Sequence, residues 1–155
     1  MLRFLPVGLD LRGRRCVIVG GGDVGTRKAR TLARAGAAVT VVSPKLTAPL
    51  AGEAEAGRVR WVAEAFRAEH LGEPLLVVAA TNDQVVNAAV VREAARRGAL
   101  VCDASSAERS QVIFAACLEA QGVTVAVFTD GRDPALAAKT RDRIAALLAD
   151  VGPIR

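Results

Sequence analysis

Short apolar runs alternate with longer amphipathic segments through the first two thirds of the chain. Residues 75–80 (LLVVAA) form a continuous apolar run, which is typical of a strand buried on both faces of a parallel sheet. Residues 83–97 instead repeat apolar side chains at helical spacing, which predicts an amphipathic helix. The same patterns predict strands over 17–19, 38–43, 59–62 and 100–102, and helices over 23–36 and 46–56. This alternation predicts an α/β fold with a doubly wound parallel sheet.

The pattern changes in the last third of the chain. Residues 111–116 and 123–128 are predicted as two strands joined by a short polar turn that contains Gly122, and a helix is predicted from Pro134 onwards. The two strands either extend the sheet or pair with a second copy of the chain. We favour dimerisation, because apolar hairpin strands need a covering surface. Residues 151–155 are expected to fray at the end of this helix.

The strongest local signal is a glycine cluster near the start of the chain, within residues 16–36 (CVIVGGGDVGTRKARTLARAG). Gly20, Gly22 and Gly25 have the G-x-G-x-x-G spacing, between a β-branched run and a helical pattern that begins at Asp23. The first glycine permits a tight turn, the second lets the backbone approach a pyrophosphate, and the third lets helix and strand pack closely. The helix N-terminus adds N–H groups and the positive end of its dipole. The motif predicts a dinucleotide site; a purely structural turn is the alternative.

A Rossmann domain is therefore predicted over residues 1–110, with residues 111–155 as a dimerisation segment. The second predicted strand ends at Ser43, where dinucleotide-binding domains usually carry an acid for the ribose hydroxyls. Ser43 offers a hydrogen bond without a charge, so the choice between NAD and NADP stays open. The predicted cofactor-binding residues are Gly20, Gly22, Asp23, Val24, Gly25, Ser43, Pro44, Lys45, Thr81 and Asn82.

Polar residues also follow the fourth and fifth predicted strands. Thr81 and Asn82 come directly after residues 75–80, at the strand ends where ligands bind in a doubly wound sheet. Asn82 or Asp83 acting as a helix N-cap is the alternative that needs no ligand. Asp103 ends the fifth strand at the same edge, where a carboxylate is able to accept a proton. A turn or cap role is the alternative for Asp103.

Composition narrows the range of partners. The net charge is +5, but the basic residues are dispersed, and no run reaches the length of a nucleic-acid-binding tail. Aromatic residues make up 3% of the chain and Tyr is absent, so base stacking and a nucleic-acid partner are not expected. The dispersed charge fits solvated helix faces or, alternatively, a polyanionic small molecule. Candidate ligands for its carboxylates are Arg109, Arg132 and Lys139, each of which taken alone is also an ordinary surface charge.

Cysteine and histidine usage gives no sign of a metal site. Cys16, Cys102 and Cys117 lie far apart, and His70 is the only histidine, so metal-ligand spacing is absent. No signal peptide opens the sequence and no apolar run reaches membrane-spanning length. We therefore expect a reduced, cytoplasmic protein with no metal and no membrane partner.

Further motifs are spread over nearly the whole chain. They are Leu5-Pro6-Val7, Leu9-Asp10-Leu11, Gly20-Gly21-Gly22-Asp23-Val24, Arg27-Lys28-Ala29, Ala79-Ala80-Thr81-Asn82-Asp83 with Asn87, Thr129-Asp130-Gly131 and Asp133-Pro134-Ala135-Leu136-Ala137. Together they resemble the siroheme-synthase N-terminal domain family, whose members are precorrin-2 dehydrogenases and in some cases also insert iron. A generic nucleotide-binding domain is not expected to share the Arg-Lys-Ala motif or the last motif.

The resemblance implies an enzyme that oxidises precorrin-2 to sirohydrochlorin, with NAD⁺ accepting the hydride, and a homodimer built through residues 111–155. The substrate is a tetrapyrrole with many carboxylates, which agrees with the positive charge. The family places an essential Asp in the loop after the fifth strand. Alignment without gaps through residues 111–114 puts Ser105 at that position and Asp103 two residues earlier. We take Asp103 as the candidate catalytic base, with Ser105 beside it.

Two other functions stay open at this point. The chain fits an NAD(H)-sensing regulatory module without turnover, or a family member that carries a tetrapyrrole or metal without acting on it. A bifunctional dehydrogenase and ferrochelatase is less expected, because many members carry a further helical segment over the tetrapyrrole cleft that is not expected here.

Overall fold

Strands and helices alternate through the first part of the computed structural model, which describes residues 3–150. Their bounds are β1 Arg15–Val19, α1 Asp23–Arg34, β2 Ala38–Val42, α2 Ala48–Glu55, β3 Arg60–Val62, β4 Leu76–Ala79, α3 Gln84–Arg96 and β5 Leu100–Asp103, with a short 3-10 helix, Ala68–His70, before β4. The five strands form one parallel sheet in the order β3-β2-β1-β4-β5. The predicted doubly wound α/β fold is confirmed.

Helices cover both faces of this sheet. On one face, Val17 of β1 lies in a buried cluster with Val90 and Ala94 of α3. Ile18 points to the opposite face, because side chains alternate along a strand, and lies beneath Gly25 of α1. Burial on both sides explains why the central strands β1 and β4 are apolar at consecutive positions rather than at every second one.

The carboxyl ends of three strands meet at one edge of the sheet. Val19 pairs with Ala79, and Ala79 pairs with Asp103, so β1, β4 and β5 end at the same level. The segments that follow these strands therefore share this edge, which we call the carboxyl edge. Parallel α/β sheets bind their ligands in this position.

The chain divides into two compact units. The first, Gly8–Val112, contains the parallel sheet; the second joins the described residues up to Val7 to those from Ile113 onwards. In the second unit, β6 (Ala116–Ala120) and β7 (Val123–Val127) form an antiparallel hairpin, and α4 (Pro134–Asp150) packs against both strands. The hairpin pairs with itself and does not extend the parallel sheet. The functional division at residue 110 and the dimerisation role of residues 111–155 stay predictions.

The predicted strand over residues 111–116 is wrong, because β6 begins only at Ala116. The backbone N–H groups of Gln111 and Val112 both donate to the carbonyl oxygen of Val101, at 2.9 and 3.0 Å. This segment is therefore tied to the edge of β5 rather than paired in a hairpin.

The turn of the hairpin explains the displacement of its first strand. Gln121 and Gly122 have φ angles of 52° and 76°, and a two-residue type I′ turn requires positive φ at both central positions. Ala120 consequently pairs with Val123, and the first strand runs back from Ala120. The strand was predicted from the apolar run before Ala116, but the turn determines which residues of β6 and β7 pair.

In the described part of the chain, the helices are too short or too polar to span a membrane. The expected fraying of residues 151–155 concerns residues outside the described range.

Candidate functional site

The glycine turn between β1 and α1 and the start of α1 are packed so tightly that Gly20, Gly21 and Gly25 have no room for a side chain. A Cβ at Gly20 would collide with the carbonyl oxygen of Ala80, and the φ of Gly20 is +119°, a region that favours glycine. A Cβ at Gly25 would collide with the carbonyl oxygen of Gly20. The first and third glycines of the motif therefore let the turn pack against the end of β4 and against α1.

Gly22 differs from its two neighbours in the motif. A Cβ at Gly22 would meet nothing within 4 Å, so this position faces open space. Gly22 is also the N-cap of α1 and makes no side-chain cap hydrogen bond. Asp23 and Val24 follow it and are exposed. The first N–H groups of a helix have no partner within the helix, so the turn offers donors and a positive dipole end beside free volume. This is the arrangement that a pyrophosphate requires.

The segment after β2 is held in place by its own hydrogen bonds. The Ser43 hydroxyl is buried and donates to the carbonyl oxygen of Lys45 at 2.8 Å. Trp61 of β3 donates its indole N–H to the carbonyl oxygen of Ser43 at 2.9 Å. Pro44 and Lys45 are exposed. The Ser43 hydroxyl therefore remains available as an acceptor, while its proton is already used.

Thr47 connects this segment to the glycine turn. Its N–H donates to the carbonyl oxygen of Gly21 at 2.9 Å, and its hydroxyl caps α2 by accepting from the N–H of Leu50. The hydroxyls of Thr47 and Thr26 are 2.7 Å apart. A groove of about 410 Å³ opens beside these hydroxyls and is also lined by Arg27. Hydrogen bonds thus join the segments that follow β1 and β2 at the carboxyl edge.

After β4, a buried amide organises the backbone. Asn87 of α3 is fully buried; its Oδ1 accepts from the Thr81 N–H at 3.1 Å and from the Thr81 hydroxyl at 2.7 Å, and its Nδ2 donates to the Thr81 carbonyl at 3.0 Å. Asp83 is the N-cap of α3, accepting from two backbone N–H groups at 2.8 and 3.2 Å. Asn82 is exposed. Of the two N-cap candidates, Asp83 therefore takes the cap, and the cofactor roles of Thr81 and Asn82 stay predictions.

After β5, Asp103 lies in a buried ion pair. Its side chain is 0% exposed; one oxygen accepts from the Ser105 N–H at 2.9 Å and the Ser105 hydroxyl at 2.6 Å, and the other from Arg109 Nε at 2.6 Å. Burial by itself raises the pKa of Asp103, but the hydrogen bonds from Ser105 and Arg109 outweigh it and hold the pKa below its ordinary value. The role of Asp103 as a base stays a prediction; in this conformation both of its oxygens already accept hydrogen bonds.

The Asp103 pair is joined to α3 and to the loop after β4. Arg109 Nη2 donates to Gln84 Oε1 at 2.7 Å and lies 3.3 Å from the Ser105 hydroxyl. The Ser105 hydroxyl also accepts from Asn87 Nδ2 at 3.3 Å. One network therefore spans the ends of β4 and β5, and we call Gln84, Asn87, Asp103, Ser105 and Arg109 the rim network.

The predicted site residues fall into three groups. The glycine turn and the Ser43 segment form one half of the carboxyl edge, and the rim network with Thr81 forms the other. Arg132 and Lys139 belong to the second compact unit. There Arg132 pairs with Asp130 at 3.2 Å, and Lys139 is exposed on α4. Their predicted contact with a substrate stays a prediction.

Sequence patterns alone did not assign a role to Gln84, Asn87 or Trp61. Gln84 and Asn87 stand three residues apart at the start of α3 and so share a helix face that points to the ends of β4 and β5. That spacing was a usable signal. The hydrogen bond between Trp61 and Ser43 joins different strands and has no local signal. The described residues hold no group of three or more His, Cys, Asp or Glu side chains suited to a metal ion.

Comparison with known proteins agrees with this geometry. A family described as "Putative NAD(P)-binding" matches residues 7–116. Siroheme synthase 1 of Pectobacterium atrosepticum is 40% identical over 147 residues, and the siroheme synthase of Methylobacillus flagellatus is 41% identical over 144 residues. These alignments cover 95% and 93% of this chain but 31% of each relative. The chain thus spans about a third of the length of the siroheme synthases that it matches.

A solved structure supports the same relationship over most of both chains. The structure of SirC, described as a precorrin-2 dehydrogenase, matches with a TM-score of 0.81 and 31% sequence identity. The match covers 93% of this chain and 71% of the SirC chain. It therefore extends beyond the parallel sheet into the second compact unit.

Proposed function

The chain belongs to the family of SirC, a precorrin-2 dehydrogenase, and we propose that it oxidises precorrin-2 to sirohydrochlorin with NAD⁺ as the hydride acceptor. The observation that carries the proposal is the glycine turn, whose one open position, Gly22, stands at the N-terminus of α1. The siroheme synthases at about 40% identity support the tetrapyrrole substrate.

The residues at the glycine turn fit a dinucleotide. The N–H groups that begin α1 at Asp23 and Val24 would hold the pyrophosphate, and the open face of Gly22 would let it approach. Ser43 would accept a hydrogen bond from a ribose hydroxyl, since its own proton is donated to Lys45. The bound nicotinamide supplies the hydride chemistry. Because Ser43 carries no charge and Lys45 is exposed nearby in sequence, NADP⁺ is the coenzyme to compare.

The rim network would face the substrate. The side chain of Arg109, in the loop after β5, is 37% exposed, and its planar fork of N–H donors suits a carboxylate. Thr81 and Asn82, which follow β4 at the same edge, would line the cofactor pocket. In this proposal the chain's own residues bind and orient the two reactants, which is where positioning lowers the barrier.

The setting and assembly of the enzyme are part of the proposal. Free cysteines at Cys16, Cys102 and Cys117 agree with a reducing, cytoplasmic compartment. The second unit exposes Val123, Leu136 and Leu147, at 44%, 52% and 66%, and such apolar side chains support a homodimer through this unit. Light scattering of the purified chain measures the oligomeric state directly, and a monomer at assay concentration would refute the dimer without affecting the dehydrogenase proposal.

The decisive experiment is an anaerobic assay with precorrin-2 and either NAD⁺ or NADP⁺. With NAD⁺ we expect NADH and sirohydrochlorin to form in equal amounts. We expect this turnover to be faster than turnover with NADP⁺. Absence of turnover with both coenzymes would reject the dehydrogenase, and NAD⁺ binding without turnover would support the sensing module instead.

A further inference from the structure

Asp103 is a fully buried carboxylate at the carboxyl edge, and it forms an ion pair with a much more exposed residue, Arg109. Its side chain is 0% exposed, whereas that of Arg109 is 37% exposed. Burying a carboxylate is costly unless its oxygens are hydrogen-bonded. Asp103 satisfies this condition with three donors, from the N–H and hydroxyl of Ser105 and from Arg109 Nε. The carboxylate of Asp103 therefore fixes the positions of Ser105 and Arg109 through hydrogen bonds.

Two nitrogens of the Arg109 guanidinium are held by hydrogen bonds. Nε donates to Asp103 at 2.6 Å, and Nη2 donates to Gln84 at 2.7 Å. Nη1 has no acceptor among residues 3–150. The long side chain of an arginine loses rotamer entropy on binding unless it is already ordered. Asp103 and Gln84 have already ordered it, with one N–H edge left for a ligand.

We propose that Asp103 is a positioning residue, whose buried carboxylate, together with Gln84, orients Arg109 to receive a carboxylate of the substrate. This inference rests on the proposed function for the identity of that substrate, a polycarboxylated tetrapyrrole. It assigns Asp103 a role in substrate affinity rather than in proton transfer. It also assigns Gln84 a role that its exposed place at the start of α3 does not suggest.

The sign of the effect separates positioning from simple charge. Asp103 is negative, so its removal raises the local positive potential and, by Coulomb attraction alone, tightens the binding of an anion. If instead Asp103 orients Arg109, its replacement by Asn frees the guanidinium and weakens binding. The two accounts therefore predict opposite changes in the same dissociation constant.

The test measures sirohydrochlorin binding and precorrin-2 turnover in the same proteins. Asp103→Asn and Arg109→Gln are each expected to raise the Kd of sirohydrochlorin and the KM of precorrin-2 about tenfold, with kcat within about threefold and the Kd of NAD⁺ unchanged. The double variant is expected to have the same Kd and KM as each single variant, because both substitutions remove the same interaction, the oriented contact of Arg109 with the substrate. Gln84→Ala, at an exposed position that does not threaten folding, is expected to raise the same two constants by a smaller factor.

A matched control lies at the other end of α3. Glu93→Gln also converts a carboxylate that pairs with an arginine, Arg97 at 2.8 Å, to an amide, and it is expected to leave Kd, KM and kcat unchanged. Wild-type binding without turnover would reject the proposed function while the variant Kd values still decide this inference. Wild-type protein that does not bind sirohydrochlorin would overturn it. Tighter binding by Asp103→Asn, an unchanged Kd, or a collapse of kcat at unchanged KM would also overturn it, the last in favour of Asp103 as the base.

Discussion

The two halves of the carboxyl edge are built from different materials. At the ends of β1 and β2 the backbone forms the site, through glycines whose missing side chains allow close approach. At the ends of β4 and β5 the site is a network of side chains around a buried ion pair and a buried amide. The difference matches the proposed tasks, since a pyrophosphate is bound by backbone N–H groups, whereas a substrate with peripheral carboxylates needs charged side chains.

The backbone half is expected to be the more fragile to small substitutions. Gly25→Ala places a methyl group against the carbonyl oxygen of Gly20, which has no flexible atom to yield, so we expect a loss of about 3 kcal/mol in the free energy of unfolding. Gly22→Ala is the matched control: its methyl meets open space, and the expected loss is below about 1 kcal/mol. Urea denaturation measures both, and equal losses would mean that the packing of α1 on the turn is not the constraint.

The side-chain half depends on one buried amide. Asn87→Ala leaves the half-buried N–H and C=O of Thr81 without their partner, and we expect a loss of about 2 kcal/mol in the free energy of unfolding. Asn82→Ala, at an exposed position on the same loop, is expected to change it by less than about 0.5 kcal/mol. If Asn87→Ala proves as mild as Asn82→Ala, the two strand ends are not joined through Asn87.

Acid is expected to act on the side-chain half and to spare the backbone half. The pKa of Asp103 in the folded state lies below its ordinary value of 3.8, so the ion pair stabilises the fold above about pH 4. This stabilisation is lost as the pH falls below 3.8 and Asp103 takes a proton, with a slope of at most about 1.4 kcal/mol per pH unit. Asp103→Asn is expected to remove that part of the slope. Identical acid slopes in unfolding titrations of the two proteins would contradict it.

The smallest predicted effect concerns the support of the segment after β2. Trp61→Phe keeps an aromatic ring but removes the indole N–H that donates to Ser43, and we expect a loss of about 1 kcal/mol in the free energy of unfolding. The expected accompanying change is a modest rise in the Kd of NAD⁺, because the Ser43 segment is proposed to face the ribose. A rise in the Kd of NAD⁺ as large as that from Gly22→Ala would mean that Trp61 belongs to the binding site and does not only support Ser43.

The backbone half was predictable from the sequence because its causes are local. Gly20, Gly22 and Gly25 are spaced between a strand pattern and a helix pattern. This spacing predicts the tight turn and the close packing of helix and strand that the structure shows. The parallel sheet was predictable for the same reason, since double-sided burial leaves a continuous apolar run. The prediction of a strand at 111–116 was wrong because the turn at Gln121 and Gly122 sets the pairing of the hairpin. The apolar pattern of the sequence contains no information about that turn.

The side-chain half was only partly predictable because its contacts join distant residues. Asp103 was identified as a candidate from its place at the end of the fifth predicted strand, Ser105 from the family resemblance, and Arg109 as one of several dispersed cations. Their pairing with Gln84 and Asn87, 25 and 18 residues away from Arg109 and Ser105 in sequence, depends on the relative placement of β4, α3 and β5. The ion pair that now defines the environment of Asp103 therefore emerged only with the tertiary structure.

Calorimetric titration of NAD⁺ into the purified chain determines whether the proposed dinucleotide site at the glycine turn exists. We expect saturable binding near one NAD⁺ per chain, weakened at least about tenfold by Gly22→Ala in a protein that unfolds at nearly the wild-type denaturant concentration. No measurable binding of NAD⁺ or NADP⁺ to the folded wild-type chain, or equal affinity in the Gly22→Ala variant, would contradict it.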